Sequence, residues 1–318
     1  MSSPDDDDDA QVIHMIQGML GRERLAIDLC DGQRTTFLTH IGAQPRLVPG
    51  PWIAHRQLVM ALALANLNPA QRSSLAHAVI VEWGREFGVG RQLLEAHASG
   101  LPLGGSSLAM RPRSGQPRVL YTWSLGLRAT PVPCDWLLLR AQPEWSLDRP
   151  PRPIGLRGLE TLAQLGGSVL LLVPSAVAAR QIADIVADLL PLNAHPRFLP
   201  YLERHDPEAS LLLWPHDAFG AASLERHRFS TALLIGAPEQ IRLDAQRWAA
   251  ERPGVEVVDA ACPGRMDRKA MFRFWQACGR PKILLRGDAE WAAEAIPWLR
   301  SQGAIVHGHS EATQLGLF

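Results

Sequence analysis

SVLLLVPSAVAARQIADIVADLL, residues 168–190, is the stretch on which the fold turns. Ser168 to Val173 is a continuous apolar run, too short for a helix and lacking the polar alternation of a half-exposed strand. Pro174 breaks it, and Ser175 to Leu190 then has helical spacing. A strand apolar on both sides must be covered on both sides, which is the environment of a parallel sheet flanked by helices. The same rhythm recurs downstream. Apolar runs are expected as strands at Ser210–Trp214, Thr231–Gly236, Val255–Asp259, Lys282–Leu285 and Ala304–His307. Helical stretches separate them at Gln240–Glu251, Met266–Cys278 and Ala289–Gln302. The expected class is α/β, a parallel sheet with helices on both faces, RecA-like or Rossmann-like, over residues 154–309. No internal repeat is evident.

Upstream the pattern is different, and a smaller α+β region is expected over residues 12–142. Leu25–Cys30, Asp31-Gly32 and Gln33–Ile41 read as a β-hairpin, because Asp-Gly suits a two-residue turn. Pro51–Asn66 has helical spacing. Asn68 is placed to cap a second helix with Pro69 in its first turn, running to about Phe87. Residues 99–117, rich in Gly, Ser and Pro, read as loop, and Arg118–Trp123 and Trp136–Arg140 as short strands. The four prolines of Pro143–Pro153 mark a linker. Residues 1–11 form an acidic tail with Asp5 to Asp9 in a row, and residues 310–318 a second tail.

The chain has 318 residues, 47% hydrophobic and 20% charged, with 32 basic and 32 acidic side chains. That composition describes a globular protein of about two domains rather than a disordered or disulfide-scaffold chain. No apolar run approaches the roughly 20 residues of a membrane span, so no membrane partner is expected. The N-terminus lacks the basic start and apolar core of a signal peptide, and a cytoplasmic location is the expectation. Cys30, Cys134, Cys262 and Cys278 form no C-x-x-C pair and read as buried thiols.

Lys269 and Lys282 are the chain's lysines; every other basic residue is arginine. A P-loop requires a lysine after a glycine-rich loop to reach the β- and γ-phosphates. Neither lysine follows such a loop, so Walker-type ATP hydrolysis is not expected. Gly84, Gly88 and Gly90 do not open a helix after a strand, and no cofactor is expected. Gly308-His309-Ser310-Glu311-Ala312 lacks the following helix a nucleophile elbow requires. His307 and His309 have no third partner for a metal. Asp184, Asp217, Asp259 and Asp288 form no spaced catalytic pair, so no catalytic residue is assigned. Basic residues do gather at Met266–Cys278. Met266, Ala270, Met271, Phe274, Trp275 and Cys278 share one face. Arg268, Lys269 and Arg273 project from the other, with Arg265 just before. These four are the candidate nucleic-acid contacts, with DNA the candidate ligand.

The sequence ends Gln314-Leu315-Gly316-Leu317-Phe318. This resembles the Q-L-x-L-F motif by which bacterial polymerases and repair proteins bind the sliding clamp of DNA polymerase III. The resemblance implies that Gln314 bonds the rim of an apolar cleft while Leu315, Leu317 and Phe318 fill it. A second resemblance concerns the scaffold. Val169–Ser175 with its helix, the run Gly264–Trp275 with Gly279 and Lys282–Leu285, and Leu127–Pro131 are similar to segments of superfamily 2 helicases. The P-loop lysine is missing, Gly236-Ala237-Pro238-Glu239 stands where a D-E-x-H box would fall, and the final arginine motif is absent. The resemblance therefore implies a degenerate, RecA-like module, like the RecA-like accessory proteins of bacterial translesion synthesis. Together these features point to a non-enzymatic DNA replication or repair accessory protein tethered to the clamp. Two alternatives stand beside it: a Rossmann-like enzyme with its site at the strand C-terminal ends (Pro174-Ser175, Pro215-His216-Asp217, Gly236-Ala237, Arg286-Gly287-Asp288), and a partner subunit of a helicase or translesion polymerase.

Overall fold

Leu25, Ala26 and Ile27 are all buried in strand β1 (Leu25–Ile27), and Thr36, Phe37 and Leu38 in β2 (Thr35–Leu38). A hairpin with one wet face would expose alternate side chains; these strands expose none, and they pair in parallel, Leu25 opposite Thr35 and Ile27 opposite Phe37. The expected hairpin is therefore a parallel pair. The structure is a computed structural model, and it describes residues 21, 24–28, 32–41, 47–115, 117–145, 151, 158–161, 168–186, 190–220, 224, 227–286 and 289–308.

The segment expected to be helical from Pro51 begins instead with β3 (Trp52–His55), all four residues buried. His55 then caps α1 (Arg56–Ala63), its Nδ1 accepting from Gln57 N at 3.3 Å. Asn68 does cap the next helix, α2 (Pro69–Ala76), through a reciprocal capping box with Gln71. That helix stops at Ala76 rather than Phe87, because Val79-Ile80-Val81 is a β-branched run and forms β4 (Val79–Val81). The four strands make a parallel sheet in the order β1-β2-β3-β4.

A second sheet begins with an antiparallel meander of β5 (Glu86–Val89), β6 (Gln92–Ala98) and β7 (Ser106–Pro112). β7 lies where a loop was expected. Its serines are small and buried against β6, so its polarity does not mark exposure. β8 (Val119–Thr122) and β9 (Trp136–Arg140) follow, as expected, and are parallel to each other.

The α/β stretch then runs through β10 (Ser168–Val173), α3 (Ala176–Val186), β11 (Leu192–Ala194), β12 (Leu211–Pro215), β13 (Phe229–Ile235), α4 (Glu239–Ala250) and β14 (Glu256–Ala260). These five strands form an all-parallel sheet in the order β11-β12-β10-β13-β14. The decisive apolar run is its central strand, with Val169 to Val173 buried. The chain continues as α5 (Arg268–Ala277), β15 (Lys282–Arg286), α6 (Ala289–Ser301) and β16 (Val306–Gly308). β15 and β16 were expected in the same sheet as β10. Their hydrogen bonds place them in the other one, β15 parallel to β9 and β16 beyond it, in the order β16-β15-β9-β8-β7-β6-β5.

The protein is α/β, with parallel pairing in all three sheets. It divides into two compact units, one drawn from residues 1–41, 45–148 and 266–318, the other from 42–44 and 149–265. The expected boundary near 143–153 coincides with one crossing between them; the return at Met266 was not expected. In the first unit, side chains alternate across the seven-stranded sheet. Leu120, Leu137, Leu139, Ile283 and Leu285 meet Phe274 and Trp275 of α5 and Trp291 and Leu299 of α6. Val119, Tyr121, Trp136, Leu138 and Leu284 meet Leu25, Ile27, Phe37, Ile53 and Val81 of the four-stranded sheet. No helix among the described residues is long and apolar enough to cross a membrane.

A chain stopped after Arg265 loses the neighbour of β9 and the aromatic cover of one sheet face. It is expected to lose the cooperative melting of the first unit and to expose β5–β9 to protease. Circular dichroism melts with limited proteolysis of the shortened and full chains check this. An N-terminal region that folds alone would melt unchanged.

Candidate functional site

The basic helix is built as its sequence dictates. Asp267 caps α5, its Oδ1 accepting from Ala270 N at 2.7 Å. Met271, Phe274 and Trp275 are buried, and Trp275 Nε1 donates to Pro281 O at 2.9 Å. Lys269 and Arg273 are exposed and Arg268 is half-buried. The first turn carries no acidic residue. Arg268 and Lys269, in that turn, oppose the helix dipole by about a few tenths of a kcal/mol. Arg265 belongs to the other unit, and its Nε is buried without a hydrogen bond among the described residues. Gln314, Leu315, Leu317 and Phe318 lie outside the described residues, as do His309 and Asp288. His307 is buried with its ring 5.3 Å from that of Trp136. Among the described residues no group of three or more His, Cys, Asp or Glu is placed to hold a metal ion.

The strand C-terminal ends were the expected place for an enzyme site, and Pro215-His216-Asp217, in the second unit, the most polar of them. In the structure this turn is braced internally. His216 is half-buried, and its Nε2 donates to Leu172 O at 3.2 Å. Burial pushes the imidazole down to about 4, against the partial opposition of that carbonyl and of Asp217. Arg197 Nη1 bonds both oxygens of Asp217, at 2.6 and 2.8 Å. Ser175 Oγ accepts from Ala178 N at 3.3 Å at the start of α3. These contacts hold the turn against the end of β10.

A dense polar cluster lies instead at strand ends of the first unit, and of the expected strand-end residues it includes Arg286. Asp28 follows β1 with φ of 55°, a left-handed conformation that Asp tolerates better than most residues. Its Oδ1 accepts from Thr39 N at 2.7 Å, and its Oδ2 from Thr39 Oγ1 and, at 3.3 Å, from Tyr121 OH. His40 Nδ1 lies 3.7 Å from the same carboxylate. The His40 ring stacks on Trp123 at 5.5 Å, and the Arg140 guanidinium sits 4.9 Å from the Trp123 ring centre. Arg140 and Arg286 are in register at the ends of β9 and β15. Burial, and then the Asp28 charge, hold the Tyr121 phenol well above its usual range, while burial brings Arg286 down to about 10. The cluster offers two guanidiniums, an imidazole and a phenol around one carboxylate, a combination suited to positioning a polar ligand. A signal for it was present: Asp28, Thr39 and Arg286 each end or follow a short apolar run. The hairpin reading of 25–41 hid it, because only parallel pairing brings Asp28 beside Thr39.

Asp28→Ala removes the acceptor of Thr39 N and Tyr121 OH at once. Leaving such donors unpaired costs about 1–3 kcal/mol each, so a clear fall in the urea midpoint is expected, smaller for Asp28→Asn, which keeps one acceptor oxygen. His216 gives a pH signature. It titrates near 4 when folded and near 6.5 otherwise, so between those values the unfolded chain binds more protons. Stability of the second unit should therefore fall as pH drops from 6.5 toward 4, by about 3 kcal/mol in the limit. Denaturant titrations of wild type and His216→Gln check this; equal pH slopes in the two would remove the role assigned to His216.

The chain matches no family model and no curated protein. Among solved structures it is similar to a crystal structure of a protein of unknown function from Enterococcus faecalis V583, with 13% identity and a TM-score of 0.48 over 79% of this chain and 74% of that one.

Proposed function

We propose that the protein is a non-enzymatic accessory factor of bacterial DNA replication or repair, held to the sliding clamp of DNA polymerase III by residues 314–318. The observation that carries this reading is the pentapeptide Gln314-Leu315-Gly316-Leu317-Phe318. It places an amide and three large apolar anchors at the motif's spacing, six residues beyond β16, the edge strand of the seven-stranded sheet. The α5 face supports a second contact: Arg268, Lys269 and Arg273 stand within two turns of one helix, a grouping of charge that suits phosphates. A helicase or translesion polymerase partner fits the same role.

A short tail with few anchors binds modestly, near the micromolar range. Calorimetry of a peptide of residues 309–318 against purified clamp is expected to show such binding alone. Leu317→Ala with Phe318→Ala should abolish it and Gln314→Ala should weaken it by about 1 kcal/mol. A peptide and a full chain that both fail to bind would end the clamp assignment. Reversing Arg268, Lys269 and Arg273 to Glu should weaken DNA binding uniformly across sequences and flatten its salt dependence. Fluorescence anisotropy at two salt concentrations reads both effects.

The alternative, an α/β enzyme, has its support in the Asp28–Tyr121–Arg286 cluster rather than at His216. Chemistry centred there would be lost in Tyr121→Phe without loss of clamp binding, which separates the two readings.

A further inference from the structure

Two of the cysteines, 144 positions apart in the sequence, meet in the first unit. Cys134 precedes β9 in Val132-Pro133-Cys134-Asp135, and Cys278 caps the C-terminus of α5. Cys134 N donates to Cys278 O at 3.1 Å, one step before the rung in which Trp136 faces Lys282. This bond sets the two residues side by side, the neighbourhood a disulfide requires. Each thiol is the largest single influence on the other's ionisation. Both line an open cavity of about 460 Å³, with Arg111, Arg118, Asp135 and Gly279. Cys278 is buried in the helix-side core and Cys134 is partly exposed at its edge.

We propose that Cys134 and Cys278 form a peroxide-oxidised, reversible dithiol, a modification site that closes to a disulfide between the entry to β9 and the end of α5. The site takes a small hydroperoxide, which reaches the sulfurs through the cavity that both residues line. Cys278 is the attacking thiol. The bond donated by the Cys134 thiol, with a further one at Val132, holds it below the usual thiol range despite burial, while the same pairing pushes Cys134 up. The Cys278 thiolate attacks one peroxide oxygen and the O–O bond breaks. The departing hydroxide takes a proton to leave as water, and Cys278 becomes the sulfenic acid. The Cys134 sulfur then attacks the Cys278 sulfur as its proton passes to the leaving hydroxyl, which departs as a second water. Two thiols are oxidised and one hydrogen peroxide is reduced to two waters. The sulfenic acid has its resolving thiol already in contact, so the disulfide should outrun over-oxidation. Arg118 and Arg111 supply positive potential at the cavity wall, although each also reaches a carboxylate, Glu95 at 3.3 Å and Glu86 at 2.6 Å.

The product would tie α5, with its Lys269 and Arg273, covalently to the sheet it packs on. The other two cysteines serve as controls. Cys262 is buried in the second unit, its Sγ donating to Gln181 Oε1 at 3.3 Å, and Cys30 lies outside the described residues.

The test uses the full chain, reduced and then treated with equimolar hydrogen peroxide, blocked with an alkylating agent and digested without reductant. The expected result is a cross-linked peptide pair joining Cys134 to Cys278, with the intact mass lower by two hydrogens and restored by dithiothreitol. It should persist in Cys30→Ser with Cys262→Ser. In Cys134→Ala, Cys278 should instead be captured as its sulfenic acid by dimedone. Unchanged mass after peroxide, a cross-link to Cys30 or Cys262, or sulfinic acid as the first product in wild type would each overturn the proposal. Should Cys134→Ala fail to fold, the wild-type peptide map alone decides.

Discussion

The parallel pairing of β9 with β15 is the contact on which the first unit rests. Trp136 to Arg140 is buried on both faces, and its outer neighbour comes from beyond the whole second unit. Leu137 and Leu139 face the helices while Trp136 and Leu138 face the smaller sheet. Each such leucine contributes about 1.5–3 kcal/mol when fully buried, and none could be buried on an open edge. The Lys282 ammonium lies 5.1 Å from the Trp136 ring centre at the start of the same rung. Cys134 and Cys278 meet one step earlier. A pairing so distant in sequence forms late, because its loop-closure entropy must be met before the contact contributes.

Charge follows the same division between structure and function. The chain is neutral overall, and some of its ion pairs lie within one helical turn, such as Arg180 with Asp184 or Arg242 with Glu239. Exposed pairs of this kind contribute little to stability. Two places break the pattern. In the first unit, buried or half-buried guanidiniums, a phenol and a histidine surround Asp28, where desolvation strengthens each interaction and makes the cluster sensitive to any single loss. On α5, three cations occupy a helix face whose first turn would favour anions.

The proposed function joins two weak contacts rather than one strong one. In that proposal a five-residue anchor and a three-cation helix face would each bind modestly, but on one chain the second contact would become intramolecular. The effective concentration set by the intervening segment then multiplies the affinities. A scaffold in this role requires a rigid helix face and an exit point for the tail. α5 packed on the sheet through Phe274 and Trp275 offers the first, and β16 at the sheet edge offers the second.

Local chemistry was legible in the sequence where burial was complete or a cap was strong. Val169–Val173 is apolar on both faces and read as a fully covered strand, and Trp136–Arg140 as a short one; Asn68 read as a helix cap, whereas the helix expected from Met266 begins only after Asp267, which caps it. The α5 cations and the residues of the 314–318 motif were likewise visible as residue types at a spacing. Sheet membership and strand direction were not. Leu25–Ile27 and Thr35–Leu38 fit a hairpin or a parallel pair equally well by composition, and Lys282–Arg286 fits either sheet. The pairing is decided by which faces must be covered, and that depends on segments far away in the chain. The Asp28 cluster and the Cys134–Cys278 contact exist only once the pairing is set. Residue types and local periods are encoded within a few positions, whereas a site assembled from strand ends is encoded in long-range burial, which only the tertiary structure resolves.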